Sequence, residues 1–282
     1  MEENILFAFS LTLLAGLATG IGSAMVLITK RTNHKLLAFS LGLSAGVMLY
    51  VSFVEILVKS VDALVPIYGE KMGTTLAVCG FFLGIVVIAV IDKCMPDAGN
   101  PHEIRKVEEM DKMEMREKAI PVNTSEIGEK KSKELMRMGV FTALAIGIHN
   151  FPEGLATFIS AIEDPEMGIA IAFAIAIHNI PEGIAVAVPI FYATGSRMKA
   201  FKLSFLSGLS EPIGALIGYF LFLQFFGNEA FGFIFAAVAG IMVYISLDEL
   251  LPAAKEYGEH HVSMFGVIIG MLIMAFSLIL FI

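Results

Sequence analysis

The sequence predicts an all-α polytopic membrane protein with eight transmembrane helices in a 3+2+3 inverted-repeat arrangement. Three observations predict it. Hydrophobic residues make up 57% of the 282 positions and charged residues 16%, with a mean hydropathy of +0.80, a balance foreign to soluble domains. The apolar residues fall into eight runs, each long enough to cross a hydrocarbon core of about 30 Å at about 1.5 Å per helical residue. One six-residue motif is written twice inside those runs: His149-Asn150-Phe151-Pro152-Glu153-Gly154 and, 29 residues on, His178-Asn179-Ile180-Pro181-Glu182-Gly183.

The runs lie at about 5–29, 36–58, 73–92, 138–162, 168–193, 200–226, 229–250 and 262–282. The first is too long for a signal-peptide core, and Met1-Glu2-Glu3-Asn4 carries no basic flank, so it is expected to be a retained span. The chain divides into 1–94 (helices one to three), 95–135 (a linker), 136–194 (helices four and five with the paired motifs) and 195–282 (helices six to eight). The linker is charged, poor in aromatics and broken by Pro96, Pro101 and Pro121, the composition of a solvated segment. Its His102-Glu103 pair is a minor candidate metal contact.

Seventeen of the nineteen Lys and Arg residues fall between spans one and two, three and four, five and six, or seven and eight; Lys59 and Lys71 are the exceptions. The positive-inside rule therefore places 95–135 in the cytoplasm and both termini outside the cell (inner) membrane. The net charge of −8 and the absence of a basic patch interleaved with aromatics give no sign of nucleic-acid binding. Cys79 and Cys94 form neither a CxxC metal pair nor an expected disulfide. The sixteen Met residues are apolar filler.

A second repeat relates the flanking triplets of helices. Residues 45–57, AGVMLYVSFVEIL, resemble residues 239–251, AGIMVYISLDELL. Gly80, Gly84 and Ala89 recur at the same spacing as Gly266, Gly270 and Ala275, and Gly16-Leu17-Ala18-Thr19-Gly20-Ile21-Gly22 as Gly208-Leu209-Ser210-Glu211-Pro212-Ile213-Gly214. Spans one to three thus match spans six to eight with reversed orientation, and spans four and five match each other. Such repeats characterise secondary transporters, whose sites lie near the midplane. Thr19 takes the place of Glu211, so the site departs from symmetry there.

A carboxylate within a span costs about 2.5–3.5 kcal/mol on insertion scales, a cost that calls for a functional partner. On a helix Glu153 lies four residues after His149 and three after Asn150, so the three side chains share a face. Glu153 can bridge one ion held with His149 and another held with Asn150; His178, Asn179 and Glu182 repeat the set, and Glu211 adds a carboxylate. Pro152 and Pro181 leave the carbonyls of Ile148 and Ile177 without their helical donors. Imidazole and oxygen donors without thiolate suit Zn²⁺, Fe²⁺, Mn²⁺, Co²⁺ or Ni²⁺ and argue against Cu⁺. Glu55, Asp248 and Glu249 are candidate acids along a path to this site, Glu55 about one turn from the outer surface and Glu249 about one turn from the inner.

The two HNxPEG motifs and Ser210-Glu211-Pro212 resemble the signature spans of the ZIP family of divalent-metal transporters, and the SLDELLP run at 246–252 is most similar to its bacterial ZupT branch. The resemblance covers nearly the whole chain apart from the linker. It implies eight helices, a binuclear midplane site, movement of metal toward the cytoplasm, a homodimer, and an elevator-like motion of spans one, four, five and six against two, three, seven and eight. It implies no resident cofactor; the metal, Zn²⁺ with Fe²⁺, Mn²⁺ and Co²⁺ as relatives, is cargo, and the other partner is the lipid bilayer. The His-rich cytoplasmic loop common in the family is missing, which speaks against metal sensing by the loop. The rival classes are an intramembrane metalloenzyme, for which no HExxH motif is present, and a metal-gated channel or receptor. No GxxxxGK[ST] phosphate loop is present, so ATP-driven transport is not expected.

Overall fold

The computed structural model describes residues 2–28, 34–94, 147, 150–162, 164–223, 228–257 and 260–280. The linker 95–135, its His102-Glu103 pair and His149 lie outside the described residues. Every regular element among the described residues is helical, as a chain that must satisfy its backbone polar groups within hydrocarbon requires. The helices are α1 (Glu2–Ile28), α2 (His34–Val51), α3 (Leu57–Tyr68), α4 (Glu70–Cys94), α5 (150–162), α6 (Pro165–Thr194), α7 (Arg197–Gly208), α8 (Ser210–Ile217), α9 (Asn228–Ile245), α10 (Leu251–Tyr257) and α11 (His260–Leu280). Seven helical rods among the described residues are long and apolar enough to cross a membrane. The fourth expected span, 138–162, is described only over its C-terminal half.

Local chemistry sets the ends. Asp164 caps α6 by accepting hydrogen bonds from the N–H groups of Glu166 and Met167 at 3.1 and 3.2 Å, with Pro165 in the first turn where its missing N–H costs nothing. Gly195 closes α6 at φ 64°, and Gly69 turns α3 into α4 at φ 80°, backbone conformations that side-chain-bearing residues avoid.

The second and seventh spans are longer than their apolar runs. The rod α2–α3 continues to Tyr68, ten residues beyond the expected end, and α9–α10 continues to Tyr257. Lys59 does not end the second span because it pairs with Glu55 one turn back, Nζ to Oε1 3.3 Å, and Ser60 donates to the carbonyl of Gly232 at 2.7 Å, tying the extension to α9. Glu55 is therefore followed by more than three turns of helix rather than one, and Glu249 by about two.

Both rods contain a wide turn at equivalent places, Ser52–Ile56 and Ser246–Leu250. The N–H of Leu57 reaches back five residues to the carbonyl of Ser52, and that of Leu251 to the carbonyl of Ser246. Each π turn displaces the ladder by one residue. The hydroxyls of Ser52 and Ser246 donate to the carbonyls of Met48 and Met242, both at 2.7 Å, serving acceptors at the edge of the disturbance.

The inverted repeat is visible in the packing, residue by residue. A β-carbon on Gly270 of α11 would strike the carbonyl of Leu43 on α2; one on Gly84 of α4 would strike that of Ala237 on α9, the position equivalent to Leu43. Gly46 faces the carbonyl of Val267, and its equivalent Gly240 faces that of Phe81. Between α1 and α7, Gly16 faces the carbonyl of Gly208 and Gly208 that of Gly16. Backbones meet at these points without intervening side chains, the small-residue mode of packing in a medium where hydrophobic burial gives no advantage.

Gly84→Val and Gly270→Val are equivalent changes under the repeat. Each should destabilise its helix pair by about 1–3 kcal/mol through overpacking, whereas Leu280→Ala, on an exposed position, should change stability by less than about 0.5 kcal/mol. Thermal unfolding of the purified protein in detergent checks both; equal stability of all three variants would show that these contacts do not carry the packing.

Candidate metal centre

The paired motifs bring their charged residues together in the interior. Helix α6 runs unbroken through His178, Asn179, Pro181 and Glu182, and α5 carries Asn150 and Glu153. Asn150, Glu153, His178, Asn179 and Glu211 are fully buried and Glu182 is 3% exposed. His178 Nε2 lies 3.3 Å from Glu153 Oε1 and 4.0 Å from Glu182 Oε2. One ligand atom from each of Glu153, His178 and Glu182 falls within 4.8 Å of the other two. That spacing leaves room for one cation to be shared by the three.

The glycine that ends each motif explains how the helices reach this geometry. Gly154 rests against the backbone of Glu211, and Gly183 against the carbonyl of Thr19. In return, Gly214 of α8 faces the carbonyl of Phe151, and Gly22 of α1 that of Ile180. The motif helices are thus pressed onto α8 and α1 one residue past each carboxylate. The same contact that tightens packing carries Glu211 to the edge of the Glu153–His178–Glu182 group.

Asn179 makes contacts that helical spacing does not show. Its Nδ2 donates to Glu211 Oε1 at 2.6 Å and to the carbonyl of Ala15 at 2.8 Å, leaving Oδ1 as its metal-facing candidate. Asn150 is hydrogen-bonded to Glu182, across the two motifs. The asymmetry at Thr19 and Glu211 therefore has a structural result: Asn179 is drawn to Glu211, for which the other half has no counterpart. Both ring nitrogens of His178, Asn179 Oδ1 and Glu211 Oε2 are buried without a hydrogen-bond partner. Buried polar atoms in that condition are costly, and a divalent cation is the partner their chemistry fits.

Two supporting contacts had no signal in the motif. Ser44 Oγ donates to the carbonyl of His178 at 3.4 Å, and Ser204 Oγ donates to that of Gly183 at 3.0 Å while lying 2.6 Å from Ser23 Oγ. Isolated hydroxyls in apolar helices give no indication of which neighbour they will meet. Among the path candidates, Glu249 is within electrostatic reach of Glu182, whereas Glu55 is engaged by Lys59.

The model of the ZIP zinc transporter family matches residues 3–278. The chain belongs to that family. It is 59% identical over 281 residues to the zinc transporter ZupT of Chlorobium chlorochromatii, covering all of both chains. It is 59% identical over 280 residues to that of Lysinibacillus sphaericus, covering 99% of each. With that of Clostridium perfringens it shares 57% over 280 residues, 99% of this chain and 98% of the relative. A ZIP member is a transporter, which sets the metalloenzyme reading aside.

Because Asn179 orients Glu211 rather than standing alone, Asn179→Ala should weaken Zn²⁺ binding by about 10–100-fold, the usual effect of removing a group that positions a ligand. Thr19→Val, at the place in the other half that answers to Glu211, should leave affinity almost unchanged. Titration calorimetry on purified protein measures both, and equal affinities for the two variants would remove Asn179 from the site.

Proposed function

We propose that this protein carries Zn²⁺, with Fe²⁺, Mn²⁺ and Co²⁺ as related cargo, across the cell membrane toward the cytoplasm through a binuclear site at the midplane. The observation that carries the reading is the buried Glu153–His178–Glu182 group within helices long enough to span a bilayer. The zinc transporter relatives supply the identity of the leading metal. Glu153, His178 and Glu182 form one ion position; Asn179 Oδ1 and Glu211 Oε2, buried beside them without hydrogen-bond partners, belong to the second. Bridging carboxylates screen part of the repulsion between two cations, so both can be held close together; the repulsion that remains favours departure of one when the other arrives.

Transport requires the ions to meet each side in turn. Helix α1 packs along α6, α7 and α8, while α2 packs along α11 and α4 along α9. These two groups correspond to the moving and static halves of an elevator, with α6 touching α2 and α11 at the boundary. Asp248 and Glu249 lie at the wide turn of α9–α10 and mark an exit toward the end of that rod, while the acid in the equivalent turn, Glu55, is already paired with Lys59. Both termini and the α3–α4 turn face outward in this reading, and the lipid-facing helices associate as a homodimer.

Proteoliposomes containing only this protein should accumulate radioactive zinc. Glu153→Ala and Glu182→Ala should abolish uptake while leaving protein in the membrane; normal uptake by both would end the reading. His149→Ala and Asn150→Ala should alter uptake differently, since helical spacing sets them on either side of Glu153, and a calorimetric stoichiometry of one would reject the binuclear site.

Topology has its own test. In a background lacking Cys79 and Cys94, Gly69→Cys should react with an impermeant maleimide from outside whole cells, and Ser196→Cys only after permeabilisation. The reverse pattern would invert the direction of transport.

A further inference from the structure

On the face of α5 turned away from the metal centre lies a crevice of about 270 Å³, between α5, α4 and α9. All ten residues around it are apolar, Phe151, Pro152 and Leu155 from α5 among them. It lies within membrane-spanning helices, and the neighbouring face of α4 exposes Phe82 (58%), Val86 (56%) and Val90 (56%). Water has no polar partner there. The medium against that face is lipid hydrocarbon.

The inverted repeat provides an internal comparison. The equivalent junction is that of α6 with α2 and α11, where hydroxyls and buried side chains make the contact. Ser44 of α2 donates to the carbonyl of His178, and Ser277 of α11 donates to the carbonyl of Ala170 at 2.9 Å, so two hydroxyls fasten α6 to its neighbours. Met274 and Val47 beside them are fully buried. At the open junction the residues equivalent to Ser44 and Ser277 are Val238 and Ile91, both lining the crevice. Neither can form the fastening hydrogen bonds. The two halves of the molecule therefore differ in chemistry as well as shape: one junction is joined by hydroxyls, the other lined with hydrocarbon and left open.

We propose that this crevice is a binding site for an acyl chain of a membrane lipid, which seats against Phe151, Pro152 and Leu155. The chain takes the place that side chains and hydroxyl contacts fill in the equivalent junction. It lies behind the helix that carries Asn150 and Glu153, so its presence opposes closure of α5 onto α4 and α9. The proposal does not depend on which metal is carried or in which direction.

The protein contains no tryptophan, so a single one becomes a clean reporter. Val87→Trp places it at the rim of the crevice and Phe82→Trp on the open face of α4. The full-length protein in detergent is titrated with phosphatidylcholine brominated on its acyl chains. Quenching at Val87→Trp should saturate at low lipid content, while quenching at Phe82→Trp should follow bulk lipid without saturation. Adding Ala237→Phe to fill the crevice should weaken the saturable phase roughly tenfold, the loss expected when about two methylene groups are displaced. Ile234→Phe serves the same purpose if Ala237→Phe does not fold. The proposal is overturned if both reporters follow one partition curve, if the filled variants bind as tightly as the parent, or if aqueous iodide quenches Val87→Trp more strongly than Phe82→Trp. It is also overturned if quenching disappears as the protein is concentrated into dimers, since a second copy would then be the occupant.

Discussion

Three carboxylates share a buried region with one described imidazole and two amides, inside helices that a membrane surrounds. That concentration of charge in a low-dielectric interior is the constraint on which the rest of the molecule depends. It is tolerable because the groups face one another across distances a cation can span. Their convergence requires α5, α6 and α8 to approach closely, and this requires glycine where their backbones meet, at Gly154, Gly183 and Gly214. Packing and ligand placement are the same structural fact: a side chain added at Gly154 would push α5 away from α8 and, in doing so, draw Glu153 away from Glu211.

The pseudo-symmetry organises this arrangement and its exceptions give it direction. Backbone contacts recur at equivalent residues in both halves, down to the carbonyl met by Gly84 and Gly270 and by Gly46 and Gly240. Several of the departures bear on charge or closure. Glu211 answers to Thr19, Asp248 to Val54, Ala253 to Lys59, and Ser44 to Val238. Symmetric backbones with asymmetric side chains give a molecule two related but unequal arrangements, the requirement for facing two different compartments with one site.

Much of this was legible in the sequence because membrane helices carry strong signals. The apolar runs, the doubled HNxPEG motif and the thirteen-residue match between spans two and seven identify the architecture and its reversal. The candidate ligands Glu153, His178 and Glu182 followed from helical spacing and are adjacent in the fold. The continuation of α3 past Lys59 was hidden, since hydropathy treats a lysine as a boundary and cannot see its ion pair with Glu55. The turn of Asn179 toward Glu211 was hidden as well, because it depends on which face α8 presents across the interior. Spacing predicts which side chains share a helix face; it is silent on partners contributed by another helix.

The two π turns lead somewhere else. A π turn holds an extra residue that a regular helix would expel, and it forfeits ladder hydrogen bonds to do so. Here it occurs at Ser52–Ile56 and again at Ser246–Leu250, each with a serine hydroxyl donating to a methionine carbonyl four residues earlier. Two independent insertions at the same position, each with the same repair, would be a poor explanation. The economical reading is that the wide turn belongs to the repeat unit itself, held by the same serine and methionine in either copy. On that account the bulge is part of what the two copies share, and the contrast between Lys59-bound Glu55 and its twin Glu249 is laid over a common backbone.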